Sequence, residues 1–212
     1  MAVDYFRSGA VFGWGKNAFG QLGINDDKSK MYPTQLKTLR SIGVRYIACG
    51  EDFSTFLTMD GGVFTCGAGN FGQLGHGNLS NEILPRMVIE LMGTTCTQIS
   101  CGKRHVLTFV PTRQRVYSFG LGGSGQLGNK TTNNATTPQV VAGPWVGALE
   151  EARRQMDSFL IEFQLSRNGS SLLNDDSPDS MIVKRIFSGG DHSFVSTATD
   201  PQAIQNDCRI YE

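Results

Sequence analysis

The chain has 212 residues, 39% of them apolar, enough to bury the core of one medium domain or two small ones. Its 19 basic and 19 acidic side chains cancel, which argues against nucleic acid or a membrane surface as a partner, since both attract clustered Lys and Arg. No apolar run reaches ~18 residues, and Asp4, Arg7 and Lys16 interrupt the start of the chain, so neither a membrane-spanning helix nor a secretory signal is expected.

Residues 1–8 read as a lead segment. Ala10-Val11-Phe12 is a short strand that enters a glycine-rich block, Trp14-Gly-Lys-Asn-Ala-Phe-Gly-Gln-Leu-Gly23, and Pro33 follows ten residues after Gly23. Val44–Ala48 alternates as a strand with one buried face. Next come Ile47-Ala-Cys-Gly50, the strand Phe53–Thr58 and a hairpin turn at Asp60-Gly61. The series then recurs. Gly62-Val63-Phe64 leads into Cys66-Gly-Ala-Gly-Asn-Phe-Gly-Gln-Leu-Gly75, with Pro85 ten residues on. Cys96–Ser100, Ile99-Ser-Cys-Gly102 and His105–Val110 follow. A third round runs from Arg115–Phe119 through Phe119-Gly-Leu-Gly-Gly-Ser-Gly-Gln-Leu-Gly128 to Pro138.

The closing glycines at 23, 75 and 128 set a period of about 52 residues, the length of a propeller blade of four short strands. The Ile-x-x-Gly motif next appears as Ile186-Phe-Ser-Gly189, about 35 residues late, which locates one insertion between Pro138 and Ile182. The expected fold is therefore all-β. It is a partial propeller of about three four-stranded blades, divided as 9–60, 61–112 and 113–197, with an insertion at about 143–181 and a tail at 198–212. Within the insertion, Leu149, Ala152, Met156, Phe159, Leu160 and Phe163 have the spacing of an amphipathic helix, and 166–180 reads as a loop.

The signature is expected to do structural work. Gly20, Gly23, Gly72, Gly75, Gly125 and Gly128 permit left-handed turns. Leu22, Leu74 and Leu127 anchor the turn from below, and Gln21, Gln73 and Gln126 bond to backbone groups left unpaired. Gly67–Gly72 and Gly120–Gly125 both fit Gly-x-Gly-x-x-Gly, but each runs into Gln-Leu-Gly and a polar loop, where a dinucleotide site needs a helix. His105 and His192 recur at one repeat position and read as hydrogen-bonded structural residues, because no nucleophile or carboxylate accompanies both. His76 is expected to be exposed. Cys49 and Cys101 occupy equivalent positions, with Ser188 third and no matching histidine pair, so no metal site is expected. Five scattered cysteines do not form a disulfide framework and suit a reducing cytosol. Cys208, in a polar tail, reads as an ordinary thiol. No catalytic residue and no cofactor are expected. Trp145, Met156, Phe159 and Phe163 are the partner-docking candidates of the insertion.

Three glycine blocks, with Cys101-Gly-x-x-His105 and Gly189-Gly-Asp-His192, resemble the repeats of the regulator of chromosome condensation, a family of seven-bladed propellers. Val11-Phe-Gly-Trp-Gly15, Gly61–Gly69, Glu90-Leu-Met-Gly93, Tyr117–Gly123 and Val183–Gly190 are similar to the last three blades of the propeller in small HERC-type ubiquitin ligases. That likeness implies a segment of a longer protein with further blades and a HECT catalytic domain. Its implied role is a non-catalytic platform that recruits ubiquitination substrates or regulators. The chain departs from the pattern at Phe53, where the other repeats have histidine, and at Ser188, where they have cysteine. The alternative implied by the founding family member is a guanine-nucleotide exchange factor for a small GTPase; chromatin binding fits poorly with zero net charge. Three blades would leave open sheet sides, so the chain is expected to be marginally stable or oligomeric.

Overall fold

A computed structural model describes residues 9–146 and 181–198. Met156, Phe159 and Phe163, the expected helix of the insertion, and Cys208 lie outside the described residues. Among the described residues there are twelve strands: β1 (Phe12–Gly15), β2 (Lys30–Gln35), β3 (Val44–Cys49), β4 (Phe53–Thr58), β5 (Val63–Gly67), β6 (Glu82–Met87), β7 (Gln98–Cys101), β8 (His105–Val110), β9 (Arg115–Gly120), β10 (Ala135–Val140), β11 (Ile182–Ser188) and β12 (Ser193–Ala198). They form two four-stranded antiparallel sheets, β3-β4-β5-β6 and β7-β8-β9-β10, flanked by two two-stranded sheets, β1-β2 and β11-β12.

The strand inventory is that of three blades, but the sheets are offset from the sequence repeats by half a unit. A division at 60/61 would cut the hairpin that joins β4 to β5, and a division at 112/113 would cut the link between β8 and β9. A tight hairpin keeps both its strands in one ladder, so each sheet takes two strands from one repeat and two from the next. The third blade's worth of strands is accordingly split between the two ends of the chain.

Within each four-stranded sheet the second strand is the most protected. Every residue of β4 and of β8 is buried, because a blade packs on a neighbour at both faces. The first strands β3, β7 and β11 lie side by side. The fourth strands β2, β6 and β10 carry Pro33, Pro85 and Pro138. These strands carry no assignment in the sequence reading, since proline and mixed polar residues weaken a strand signal. Proline is admissible there because an outer strand has no further ladder to donate to.

The main core joins the two complete sheets through Phe53, Leu57, Leu74, Val106, Phe119 and Leu127. A second cluster, with Leu107, Phe109, Val116, Val141, Val183 and Ile186, joins β7–β10 to β11-β12. Leu74 is 2% exposed and Leu127 0%, as befits anchors beneath their turns, whereas Leu22, in the two-stranded end sheet, is only half-buried. We expect Leu74→Ala to cost about 2–4 kcal/mol, read as a lowered urea midpoint with an unchanged slope, and Leu22→Ala to cost less than half as much.

Candidate interaction surface

The three signature loops connect the third strand of each blade to the fourth, and their geometry repeats closely. Gly20 N–H donates to Asn17 O and Gly23 N–H to Gly20 O, with Gly72/Gly69, Gly75/Gly72, Gly125/Gly122 and Gly128/Gly125 as equivalents, all at 2.8–3.0 Å. Each signature glycine has a positive φ, from +61° to +83°. The glutamine side-chain carbonyl folds back to accept the backbone N–H two residues before it: Phe19 N–H to Gln21 Oε1 at 3.0 Å, Phe71 N–H to Gln73 at 2.8 Å and Ser124 N–H to Gln126 at 2.8 Å.

Opposite these loops stand the Gly-x-x-His turns between the first and second strands. Gly50, Gly102 and Gly189 N–H donate to the carbonyls of Phe53, His105 and His192. A β-carbon on Gly50 would lie 1.9 Å from the Phe53 ring, and on Gly102 2.1 Å from the His105 ring. Glycine therefore lets the aromatic ring lie across the turn, and imidazole and phenyl are interchangeable as fillers.

Each turn is stitched to its neighbours. Glu51 N–H donates to Lys103 O at 3.0 Å and Lys103 N–H to Gly190 O at 2.8 Å, linking the three turns in series. Ser54 Oγ donates to Gln21 O at 2.7 Å and Ser193 Oγ to Gln126 O at 2.9 Å, each tying a turn to the preceding blade's signature. These serines escaped the sequence reading; their common offset, one residue after the ring at 53 and 192, is the signal that marks them. Outside this frame lie charges: Lys16–Asp52 at 2.8 Å, and Glu51 with Arg104 at 3.0 Å and Lys103 at 3.6 Å. Arg104 also stacks over the Phe71 ring at 4.7 Å. Exposed pairs of this kind contribute little to stability; they give the surface a fixed pattern of alternating charge.

His105 is buried, with Nε2 2.9 Å from Ser193 Oγ. Burial drives its pKa below the usual histidine range, helped by His192 nearby and opposed by Asp191. His192 is exposed and meets Phe194 edge to face at 5.4 Å. His76 is half-buried rather than exposed, because its Nε2 turns inward to Thr65 Oγ1 at 3.0 Å. Burial lowers its pKa as well. Trp145 is half-buried and packs against the second cluster.

Cys101 Sγ donates to Thr55 Oγ1 at 3.3 Å, and Cys49 Sγ accepts from Ser54 Oγ at 3.9 Å. Burial pushes the Cys101 thiol up to about 12 and raises Cys66 and Cys96 too. These thiols stay protonated at neutral pH, which disarms them as nucleophiles. Among the described residues no three His, Cys, Asp or Glu side chains are placed to hold a metal ion, and no helix is long and apolar enough to cross a membrane. The arrangement offers a rigid, patterned surface of loops and turns.

The regulator of chromosome condensation (RCC1) repeat matches residues 8–57, 60–109 and 114–146, and the chain belongs to this repeat family. It is 50% identical over 195 residues to the human "Probable E3 ubiquitin-protein ligase HERC4", covering 92% of this chain and 17% of that protein. It is 45% identical over 188 residues to the human "Probable E3 ubiquitin-protein ligase HERC3", covering 89% of this chain and 16% of that one. The chain thus spans about a sixth of the length of these relatives. Among solved structures, Prp20p from Saccharomyces cerevisiae, a protein described with binding properties toward Gsp1p and histones, superposes with a TM-score of 0.66 at 17% identity, over 94% of this chain and 42% of that one. The fold is that of RCC1 propellers, and the relatives are HERC-family ligases.

The depressed pKa of His105 has a definite sign in stability. The unfolded chain binds a proton near pH ~6.5 that the folded chain resists, so stability is full above that value and falls as the pH drops below it. Because Phe53 fills the equivalent position, His105→Phe is expected to fold. Its urea midpoint will differ less between pH 7.5 and 5.5 than that of the parent, with His76 supplying the remaining dependence. Equal pH dependence in both proteins would contradict this account.

Proposed function

We propose that this chain is a non-catalytic interaction segment of a HERC-type ubiquitin ligase, presenting substrates or regulators to ubiquitin-transfer chemistry housed elsewhere in a longer protein. The carrying observation is the 50% identity to HERC4 across 92% of the chain. The site geometry supports the same reading. The signature glutamines close their own loops, Ser54, Ser193 and His105 bond from one blade to the next, and the buried thiols are held protonated. What faces solvent is a frame of paired charges suited to reading a protein surface. We place the segment in the cytosol, with protein partners and without nucleic acid, membrane or cofactor, on the zero net charge and the scattered cysteines.

The test is biochemical. Incubated with activating enzyme, conjugating enzyme and ubiquitin, the chain should form no thiol-sensitive ubiquitin adduct. Added in excess to a full-length HERC4 reaction, it should compete for substrate and lower substrate ubiquitination several-fold while leaving the ligase's own thioester unchanged. It should not accelerate nucleotide release from a small GTPase. A thioester on the chain, no competition at saturating concentration, or stimulated nucleotide release each overturns the proposal; the last would favour the exchange-factor reading.

A further inference from the structure

At the end of β3–β6 remote from its signature loop lies an apolar cleft that the repeat does not require. It is about 350 Å³ in volume, and Ile42, Phe64, Met87, Leu91 and Met92 line it beside Asp60 of the hairpin. A complete sheet and the loops that enter and leave it form the walls. Around it Met59, Ile89 and Met92 are 46%, 57% and 65% exposed. We propose that this cleft is the docking site of the chain's own insertion, residues 149–163, which lays the apolar stripe of Leu149, Met156, Phe159 and Phe163 across Ile89 and Met92.

The other repeats show that this surface is particular to one blade. A 3-10 turn follows β2 at Lys37–Leu39 and recurs after β6 at Ile89–Leu91. Both turns bury a leucine, Leu39 at 1% and Leu91 at 3% exposure, so that position serves the scaffold. The outward positions differ. The first repeat places Lys37 and Arg40 there, both exposed; the second places Ile89 and Met92. In the third repeat Trp145 stands at the position of Met92 and packs on the second cluster. Charged side chains satisfy the fold at these two positions, so the fold alone does not account for Ile89 and Met92. A contiguous apolar patch on a protein surface marks a contact.

The path of the chain names the occupant. The turn Ile89–Leu91 lies against β10, and β10 runs on through Val141 and Trp145 into the insertion. The chain re-enters the fold at β11, which lies beside β7. Gln98 of β7 joins the two strands: its Nε2 donates to Lys184 O at 2.8 Å, and its Oε1 accepts from Ile186 N–H at 3.1 Å. Met92–Thr95, which line the cleft, lead directly into β7. The insertion thus leaves on one side of the cleft's own loop and returns on the other. Residues 149–163 would extend about 22 Å as a helix, against roughly 15 Å for the width of a four-stranded sheet, so the stripe is long enough to cross the cleft.

The two surfaces fit in kind. Residues three apart in a 3-10 turn eclipse one another, so Ile89 and Met92 stand as a short ridge on one side of the turn, with the cleft beside it. Leu149, Ala152, Met156, Phe159 and Phe163 recur at intervals of three and four, the period of one helical face. An amphipathic helix laid in an apolar groove is a recurrent mode of recognition. Met59, Met87 and Met92 give the groove unbranched side chains that adapt to what they cover. Docking of this kind is independent of any role the chain has in ubiquitin transfer.

Methionine oxidation reads the docking directly, since a covered thioether is slow to become a sulfoxide. In the wild-type chain Met92 should oxidise at least ~10-fold more slowly in peroxide than Met31, a gap that 65% against 98% exposure does not supply. Met156→Asp with Phe159→Asp should bring Met92 to the rate of Met31, while the amides of β4 and β8 stay protected from hydrogen exchange. Ile89→Lys with Met92→Arg installs the residues of the first repeat and should fold. It should raise amide exchange across 149–163, and trypsin cleavage after Arg153 and Arg154, by ~10-fold or more. All four substitutions together should add nothing to the exchange rate that either pair gives alone. Met92 as reactive as Met31 in the wild-type chain overturns the proposal. So does protection of Met92 that survives the insertion substitutions, or protection of 149–163 that survives the cleft substitutions, since other groups then cover them. Protection of Met92 that vanishes on dilution overturns it too, because a second copy is then the occupant.

Discussion

Everything in this fold depends on how closely one blade can approach the next, and that distance is set by bare α-carbons. At Gly20 a β-carbon would fall 2.6 Å from Ile83 Cα, and at Gly72 2.6 Å from the Ala135 carbonyl oxygen. No side chain fits in those gaps. The backbone contact they allow brings the Asn25 and Gly77 amides within hydrogen-bonding distance of the neighbouring outer strand, and it lets the signature leucines drop into a core shared by two sheets. A glycine-rich signature in this chain is therefore a spacing device, and its positive φ values are the form that device takes at a tight turn.

Close approach creates a second demand. Polar backbone brought into a dry interface must find partners. The structure answers with short side chains at fixed offsets. Thr65 and Ser118 donate to the carbonyls of Leu74 and Leu127 at 2.7 and 2.6 Å, and Ser54 and Ser193 donate to those of Gln21 and Gln126. Where the repeat replaces the serine with Val106, the histidine before it reaches across to Ser193 instead. These bonds satisfy carbonyls of the signature loops, and burial favours the neutral forms of His105, Cys66, Cys96 and Cys101.

The period, the strands entering and leaving each turn, and the roles of Gly, Gln and Leu were legible because each rests on local rules that recur about every 52 residues. The phase of the blades was not legible. Repeats can be cut anywhere in a period, and only the pairing of β4 with β5 and of β8 with β9 shows where one sheet ends. The outer strands were lost for a related reason: they pair on one side only and tolerate proline, so they carry neither strong alternation nor strong β propensity. Trp145, at the edge of the insertion, packs against the second cluster, a contact set by tertiary packing that its place in the sequence does not reveal.

Those weak outer strands also explain the direction in which the assembly can extend. Pro33, Pro85 and Pro138 remove ladder donors from β2, β6 and β10, a recognised way of blunting a sheet edge. Radial addition of another strand is therefore disfavoured at every blade. The edges of β1 and β12 carry no proline, and they lie where a blade in mid-construction would receive its next strand. Propeller repeats thus protect themselves outward and stay adhesive around the ring. Adhesion of that kind is useful in a scaffold, because it lets blades be gained by repetition while the loops on one face remain free to diverge toward new partners.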